Sequence, residues 1–433
     1  MSEWKSAKLG DIAEMCLGKM LDKEKNKGEL QPYLANVNLR WGGFDLSNLS
    51  TMRFEESESE RYGLESGDLV VCEGGEPGRC AIWRGEVPQM KIQKAIHRVR
   101  TNKNYSNEFV YYRFLLAGRS GELSKHFIGS TIKHLTGYSL KQVEFNYPPL
   151  AEQSRIAAVL SALDAKIELN NRINAELEGM AKLLYDYWFV QHDFPISAAQ
   201  AAALGKPHLT GKPYRSSGCP MAYNPQLKRE IPVGWLAGNI LDVSKLGGGG
   251  TPSKKNLDWW NGDIPFFTPT DTTGEVFCLR TEDKITSEGL KKSATKLYTK
   301  GTLFITARGS VGRVVIISCD AAMSQSCYAL MPNVGVSSGF LYFHIHALMG
   351  YLKAKSSGSV FKSIVTNDLI FSPSIVPAQD ILESFGKLTS PIFSQILNNQ
   401  LQNQELAQLR DWLLPMLMNG QVSPKSINHS KNV

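Results

Sequence analysis

The chain repeats itself, and a chain that repeats can fold only in a restricted set of ways. Trp4 and Asp11 recur as Trp235 and Asp242, an offset of 231 residues. Gly67-Asp-Leu69 with Gly75, Gly78 and Arg79 recurs as Gly301-Thr-Leu303 with Gly309, Gly312 and Arg313, at an offset of 234. Gln93 matches Gln325, and Phe109-Val-Tyr111 matches Phe340-Leu-Tyr342. Gly129-Ser-x-x-Lys133 matches Gly358-Ser-x-x-Lys362. Blocks in constant order with a slowly drifting offset mark a tandem duplication with small loop insertions, not chance likeness. Each copy must then bury a core of its own.

A helical pattern follows each copy. Pro148-Pro149 stops the preceding strand, since proline continues neither a ladder nor a helix. Beyond it Ile156, Leu160, Leu163, Ile167, Leu177, Met180, Leu184 and Tyr187 keep three-four spacing. Beyond Pro377 the spacing returns in Ile381, Phe385, Leu388, Ile392, Ile396, Leu406, Leu409, Leu413 and Met416. Sustained over about 40 residues, it predicts two helices of about 60 Å, paired as a coiled coil. Asn170-Asn171 and Asn398-Asn399 interrupt the stripes; a polar residue inside a seam fixes register, and one outside it merely faces water.

The chain therefore divides into a globular domain (1–148), a long helix (149–193), a crossover (194–231), a second globular domain (232–376), a second long helix (377–420) and a disordered tail (421–433). The crossover holds an Ala-rich run and Gly211-Lys212-Pro213, and reads as irregular. The predicted fold class is α+β: two similar mixed α/β domains joined by two long antiparallel helices, with a pseudo-two-fold internal repeat.

Composition excludes other classes. With 42% hydrophobic and 21% charged residues the chain is globular and not disordered. Its longest uncharged apolar stretch, Trp412–Met418, is too short to span a membrane, and Met-Ser-Glu-Trp-Lys lacks the apolar core of a signal peptide. Seven cysteines without a Cys-x-x-Cys predict neither a disulfide framework nor a metal site, and a reducing cytoplasm is the expected compartment.

The net charge of +7 is unevenly spread. The globular domains carry +2 and +4, the crossover +4 and the tail +2, while the long helices carry −3 and −2. Phosphate contact is thus expected on the globular domains and protein contact on the helices. Lys91, Lys94 and Arg98 belong to a basic run with no acid from Val87 to Asn107. Gly247–Gly250, followed by Lys254 and Lys255, offers backbone N–H groups and ammonium groups to a phosphate. Arg308 and Arg313 flank the Gly309/Gly312 turn, and Lys133 and Lys362 close the repeated Gly-Ser-x-x-Lys. Each has a bland alternative: a solvated face, a flexible loop, a hairpin in which Arg79 or Arg313 pairs with a carboxylate, or a serine-capped helix start.

Catalytic signatures are missing. There is no G-x-x-x-x-G-K-[ST], no G-x-G-x-x-G opening a βαβ unit, and no H-E-x-x-H. The Asp/Asn-Pro-Pro-aromatic run of amino methyltransferases is also missing, Tyr147-Pro-Pro-Leu150 having the wrong residues. Catalysis is therefore expected to belong to a partner.

Taken together, the blocks resemble the specificity subunit of type I restriction–modification systems. The likeness runs through Gly249-Gly-Thr-Pro-Ser253, Trp260-Asn-Gly-Asp-Ile-Pro265, Leu303-Phe-Ile-Thr-Ala-Arg-Gly309, Tyr147-Pro-Pro-Leu-Ala-Glu-Gln153 and Leu184-Tyr-Asp-Tyr-Trp-Phe189. The first copy departs from it at Cys16-Leu-Gly-Lys-Met20, which lacks the Gly-Thr-Pro of the second. The resemblance implies two target-recognition domains, each reading one half of a split, asymmetric double-stranded DNA site. It implies helices that set the spacing and dock methyltransferase subunits, which bind S-adenosylmethionine and methylate adenine. A translocating restriction subunit joins that complex, and this chain itself holds no cofactor. On this reading Lys91, Lys94, Arg98, Lys133, Lys254, Lys255, Arg308, Arg313 and Lys362 are the candidate DNA contacts. Ile156, Leu160, Leu163, Ile167, Leu177, Leu184, Phe385, Ile392, Ile396, Leu406 and Leu413 are the candidate helix-pairing and docking positions. Two readings from other classes stand beside it: a self-sufficient DNA methyltransferase or nuclease, and a protein-binding scaffold without DNA contact.

Overall fold

The computed structural model describes residues 4–22, 26–355 and 363–424. The chain forms two compact units. The first comprises residues 1–166 and 405–433, the second 167–404.

The duplication is visible strand by strand. In the first unit a four-stranded sheet runs Ala13–Leu17, Ile96–Thr101, Leu69–Cys72, Cys80–Ile82. In the second the same order runs Ser244–Gly248, Cys327–Pro332, Leu303–Thr306, Val314–Ile317, with Phe277–Cys278 added at the edge. Each unit also holds a three-stranded sheet with one parallel pair, Glu29–Leu34 with Lys91–Ile92 in the first and Trp260–Phe267 with Ala322–Met323 in the second. A two-stranded pair, Lys5–Lys8 with Glu144–Tyr147, recurs as Leu236–Gly238 with Ser374–Val376.

Central strands read as unbroken apolar runs because both of their faces are covered. Leu69 and Val71 face a core with Phe109 and Phe145, while Val70 and Cys72 face another with Trp83 and Ile92. Leu303 and Ile305 likewise share a core with Phe340 and Phe385, and Phe304 one with Phe267 and Tyr298. Burial of each such aromatic ring is worth about 1.5–3 kcal/mol. The helix Asn107–Arg119 is capped by Ser106, whose hydroxyl accepts from the Phe109 N–H. Its counterpart Ser338–Lys355 is capped by Ser337, which accepts from Phe340.

The turn glycines of the duplicated block have a physical cause. Gly75 and Gly78 have φ of 82° and 86°, and Gly309 and Gly312 have 80° and 79°. Side chains with a Cβ rarely adopt that region, so both copies keep glycine.

The long helices span Leu150–Tyr185 and Gln379–Met418. Within the first unit, Ile156 and Leu160 are buried against Leu414, Leu417 and Met418. Arg410 there donates to Asp164 at 2.6 Å, and Tyr112 donates to the same carboxylate at 2.7 Å. Within the second unit, Phe385 and Ile396 are buried, whereas Ile167, Leu177, Leu184 and Ile392 are half-buried. Leu163, Leu406 and Leu413 are half-buried in the first. The expected apolar stripe is corrected in two respects. Met180, Leu388 and Leu409 face solvent. In the second unit the seam at 170–174 is a ladder of amides: Asn170 donates 2.8 Å bonds to Gln402 and Asn403, and Asn399 donates one of 2.8 Å to Asn174. Asn170 is only 1% exposed, so it lies inside the seam and sets register there, antiparallel in sense. Asn171 and Asn398 are exposed, Asn171 accepting a 2.7 Å bond from Asn403.

The segment 194–231, expected to be irregular, is folded. It holds a helix, Ala198–Ala203, closed by a Ser197/Gln200 capping box, and a hairpin, Met221–Asn224 with Arg229–Pro232. Phe194 stacks between Tyr214 and Trp235, with centroids at 4.6 and 5.2 Å. Proline and glycine content signals turns, but it does not reveal an aromatic stack formed with residues outside the segment. Of the tail, Ser423 donates to Glu152 at 2.9 Å, and 425–433 lie outside the described residues.

Two histidines of the second unit make its stability depend on pH. Burial, reinforced by Arg229, lowers His344 to about 4. Burial, then Arg229 and Arg215, lowers His192 to about 4. Both are therefore neutral when folded and take up protons near pH 6.5 when unfolded. Their contribution is complete above about pH 6.5 and is lost as pH falls toward 4, at up to about 1.4 kcal/mol per pH unit for each. The urea midpoint of the second unit is expected to fall between pH 7 and pH 5.5, and His344→Gln with His192→Gln should flatten the dependence. An unchanged wild-type midpoint over that range would refute this account.

Candidate nucleic-acid interface

One edge of each unit is built from loops tied together by the same backbone bonds. In the first unit the Lys19 N–H donates to Ile92 at 2.9 Å, Glu73 donates to Ala95 at 2.8 Å, and Leu135 donates to Glu73 at 2.7 Å. In the second, Gly250 donates to Met323 at 3.1 Å, Ala307 to Ser326 at 2.8 Å, and Ile364 to Ala307 at 2.9 Å. These bonds gather residues 18–22, 73–79, 93–95 and 128–137 on one edge, and 249–256, 307–313, 324–326 and 363–366 on the other. Asn36 joins the first edge through Arg79, which donates to its carbonyl at 2.9 Å. Thr272 joins the second through Arg313, which donates to its carbonyl at 3.1 Å.

The side chains on the two edges differ. The first presents Lys94 and Lys133 with exposed Met20, Val37, Ile128 and Ile132. The second presents Lys254, Lys255 and Arg308 with Thr270 and Gln325, and the Thr251 hydroxyl donates to Gln325. Lys254 extends over the Trp260 ring at 5.6 Å. Lys94, Lys133, Lys254, Lys255 and Arg308 are exposed, whereas Arg313 is exposed but engaged by Thr272. Lys362, with Gly358 and its serine, lies outside the described residues.

Two candidate contacts are corrected. Lys91 is 4% exposed, in a strand beside Tyr33, and burial lowers its pKa; Ala322 holds the matching place in the second unit. Arg98 is 2% exposed and donates to the Glu60 and Gly63 carbonyls at 2.8 and 3.0 Å and to Glu14 at 2.7 Å. The basic run forms two strands, Lys91–Ile92 and Ile96–Thr101, that are buried on both faces as far as Val99, so a cation in them is enclosed whichever way it points. Of its cations considered above, Lys94 alone stands in the turn between strands.

The glycine run is also corrected. The Gly250 N–H is spent on Met323, and Gly247 and Gly248 lie in a strand paired with Ala329 and Tyr328. The run is a close-packing device and not an open cradle. Arg79 pairs with Glu76 at 3.0 Å as a hairpin contact, while Arg313 finds Thr272 in place of a carboxylate.

Behind the first edge, His97 Nε2 lies 3.5 Å from Glu73 Oε2, with both side chains largely buried. The imidazole holds that carboxyl below its ordinary range, and His134 and Lys94 add to the effect. Thr251, Thr270, Asn36 and His134 were not singled out by sequence. The Gln93/Gln325 match in the duplication was the available signal, since it marks both edges.

Residues 1–179 and 232–410 each match the type I restriction modification DNA specificity domain. The chain belongs to that family, as its resemblance implied. The HindI specificity subunit of Haemophilus influenzae is 24% identical over 465 residues, covering 98% of this chain and all of that protein. The MjaIX specificity subunit of Methanocaldococcus jannaschii is 29% identical over 320 residues, 73% of this chain and 69% of that one. The crystal structure of the type I S subunit from M. genitalium shares the fold, with a TM-score of 0.56 at 15% identity over 98% of this chain and 97% of that chain. Among the described residues no helix is long and apolar enough to cross a membrane.

Proposed function

We propose that this chain reads DNA sequence for a type I restriction–modification complex and leaves bond-making to its partners. The observation that carries the reading is the repeated loop edge: identical backbone ties, different exposed side chains. A constant frame with variable tips is what reading two unlike half-sites requires. Exposed cations position each edge on phosphates, and amide, hydroxyl and apolar tips address base edges in the grooves. Residues 1–148 and 232–376 are the two recognition domains. The long helices set the spacing and dock methyltransferase subunits that hold S-adenosylmethionine and methylate adenine, and a restriction subunit joins the assembly. This chain contributes no catalytic group.

The test is exchange of 232–376 for the matching segment of a relative, followed by mapping of methylated adenines in cells carrying the partner subunits. One half of the modified site is expected to change and the other to persist. A change in both halves, or in neither, overturns modular reading. Methyl transfer by the purified chain alone would overturn the non-catalytic role.

A further inference from the structure

A cavity of about 590 Å³ opens in the second unit, where the first long helix ends, beside the hairpin turn and the helix Ser338–Lys355. Its walls are apolar, with Phe189, Val190, Leu227, Leu348, Tyr351 and Ile375. Its polar groups are few and convergent. His344 lies between the Tyr185 hydroxyl, 3.0 Å from Nδ1, and the Ser374 hydroxyl, 2.6 Å from Nε2. Lys228 and Arg229 stand at the hairpin side, and no lining residue is acidic. Among the described residues no carboxylate forms an ion pair with Arg229, an exposed lining residue whose partial burial lowers its pKa. Size, apolar walls and a small polar set are the attributes of ligand sites.

The fold does not need this space. By the duplication His344 corresponds to Arg113, and by the matching strand pairs Ser374 corresponds to Phe145. In the first unit that place is closed: the Arg113 guanidinium lies 4.7 Å over the Phe145 ring and 3.8 Å from Glu122. Where the first unit sets a cation over a ring, the second sets an imidazole between two hydroxyls, beside a hairpin whose Arg229 has no ion-pair partner among the described residues.

We propose that this cavity binds a carboxylate carried on an aromatic or branched aliphatic body, with Arg229 as its charge partner and the Tyr185–His344–Ser374 chain as its polar floor. A guanidinium left without a carboxylate among the described residues can take one from a ligand, which accepts two parallel hydrogen bonds, and the apolar walls take the rest of the ligand. The carboxylate comes either from a free small acid or from the C-terminus of a polypeptide ending in an apolar residue.

The experiment is calorimetric titration of the full-length chain with four probes: 4-phenylbutyrate, its neutral amide, and acetyl-Gly-Gly-Phe with a free or an amidated terminus. Ala347 lines the cavity from an exposed position, so Ala347→Trp fills the space from its rim; Leu227→Trp on the hairpin turn is a second plug. At least one acid is expected to bind saturably with Kd tighter than about 1 mM. Binding should weaken about tenfold for its amide and in Arg229→Gln, and vanish in whichever plug variant keeps the wild-type thermal midpoint. The tighter of the two acids identifies the source. Absence of saturable binding by either acid, equal affinity for acid and amide, or wild-type affinity in a folded plug variant overturns the proposal.

Discussion

A methyl group added at Gly18 or Gly249 is expected to lower the stability of the unit that carries it by about 3 kcal/mol or more. A Cβ at Gly18 would meet the Gln93 carbonyl, and one at Gly249 the Ser324 carbonyl, each nearer than real Cβ atoms approach. The obstacle is backbone in both cases, held in place by the bonds that tie the loop edge together, so no rotamer change relieves it. The two positions are counterparts, although the flanking sequences, Cys16-Leu-Gly-Lys-Met20 and Gly249-Gly-Thr-Pro, share little else. Gly248 provides the control: a Cβ there meets nothing within 4 Å, so Gly248→Ala is expected to be neutral or slightly stabilising. For units of this size the loss corresponds to roughly 6–12 °C in midpoint. Calorimetry should show Gly18→Ala lowering one transition and Gly249→Ala the other. Wild-type midpoints in both variants would show that the edge yields more easily than its geometry implies.

The duplication, the long helices and the family were legible because each leaves a mark in sequence spacing. Gly309 and Gly312 repeat Gly75 and Gly78 since a left-handed backbone excludes most other residues. Ile156, Leu160, Phe385 and Ile396 showed helical periodicity because they are buried. Register was less legible. Asn170 and Asn399 look alike to Asn398 in sequence, and only the partner amides decide which of them lie inside. The loop edges were least legible. Lys91 and Arg98 sit among exposed-looking cations, yet both lie in strands covered on both faces, where Arg98 satisfies carbonyls at Glu60 and Gly63. A basic run read without its secondary structure counts charges and not faces. Conversely, Thr251 and Gln325 carry no charge to attract notice, and their meeting depends on loops 74 residues apart.

That difference between outward and inward cations gives the second large effect. Replacing Lys94, Lys133, Lys254 and Arg308 together by alanine is expected to weaken binding of the complex to its DNA site by about 100-fold or more near 0.15 M salt. Each phosphate contact releases counterions, so four lost contacts should cut the slope of log affinity against log salt by about 3–4. The pairs Lys94/Lys133 and Lys254/Arg308 should each account for about half, because each belongs to one unit. The inward cations behave otherwise. Arg98→Ala strips donors from two carbonyls and from Glu14, so it should cost about 2–4 kcal/mol of stability in the first unit. The protein that remains folded should keep the wild-type salt slope. Lys91→Met removes an ammonium from a buried site and should be neutral or stabilising, again without changing the slope. Salt titrations of DNA affinity, run beside urea denaturation for every variant, separate the two kinds of cation. A quadruple variant with an undiminished slope would place the DNA-facing surface elsewhere, and a reduced slope in folded Arg98→Ala would show that this edge opens when DNA binds.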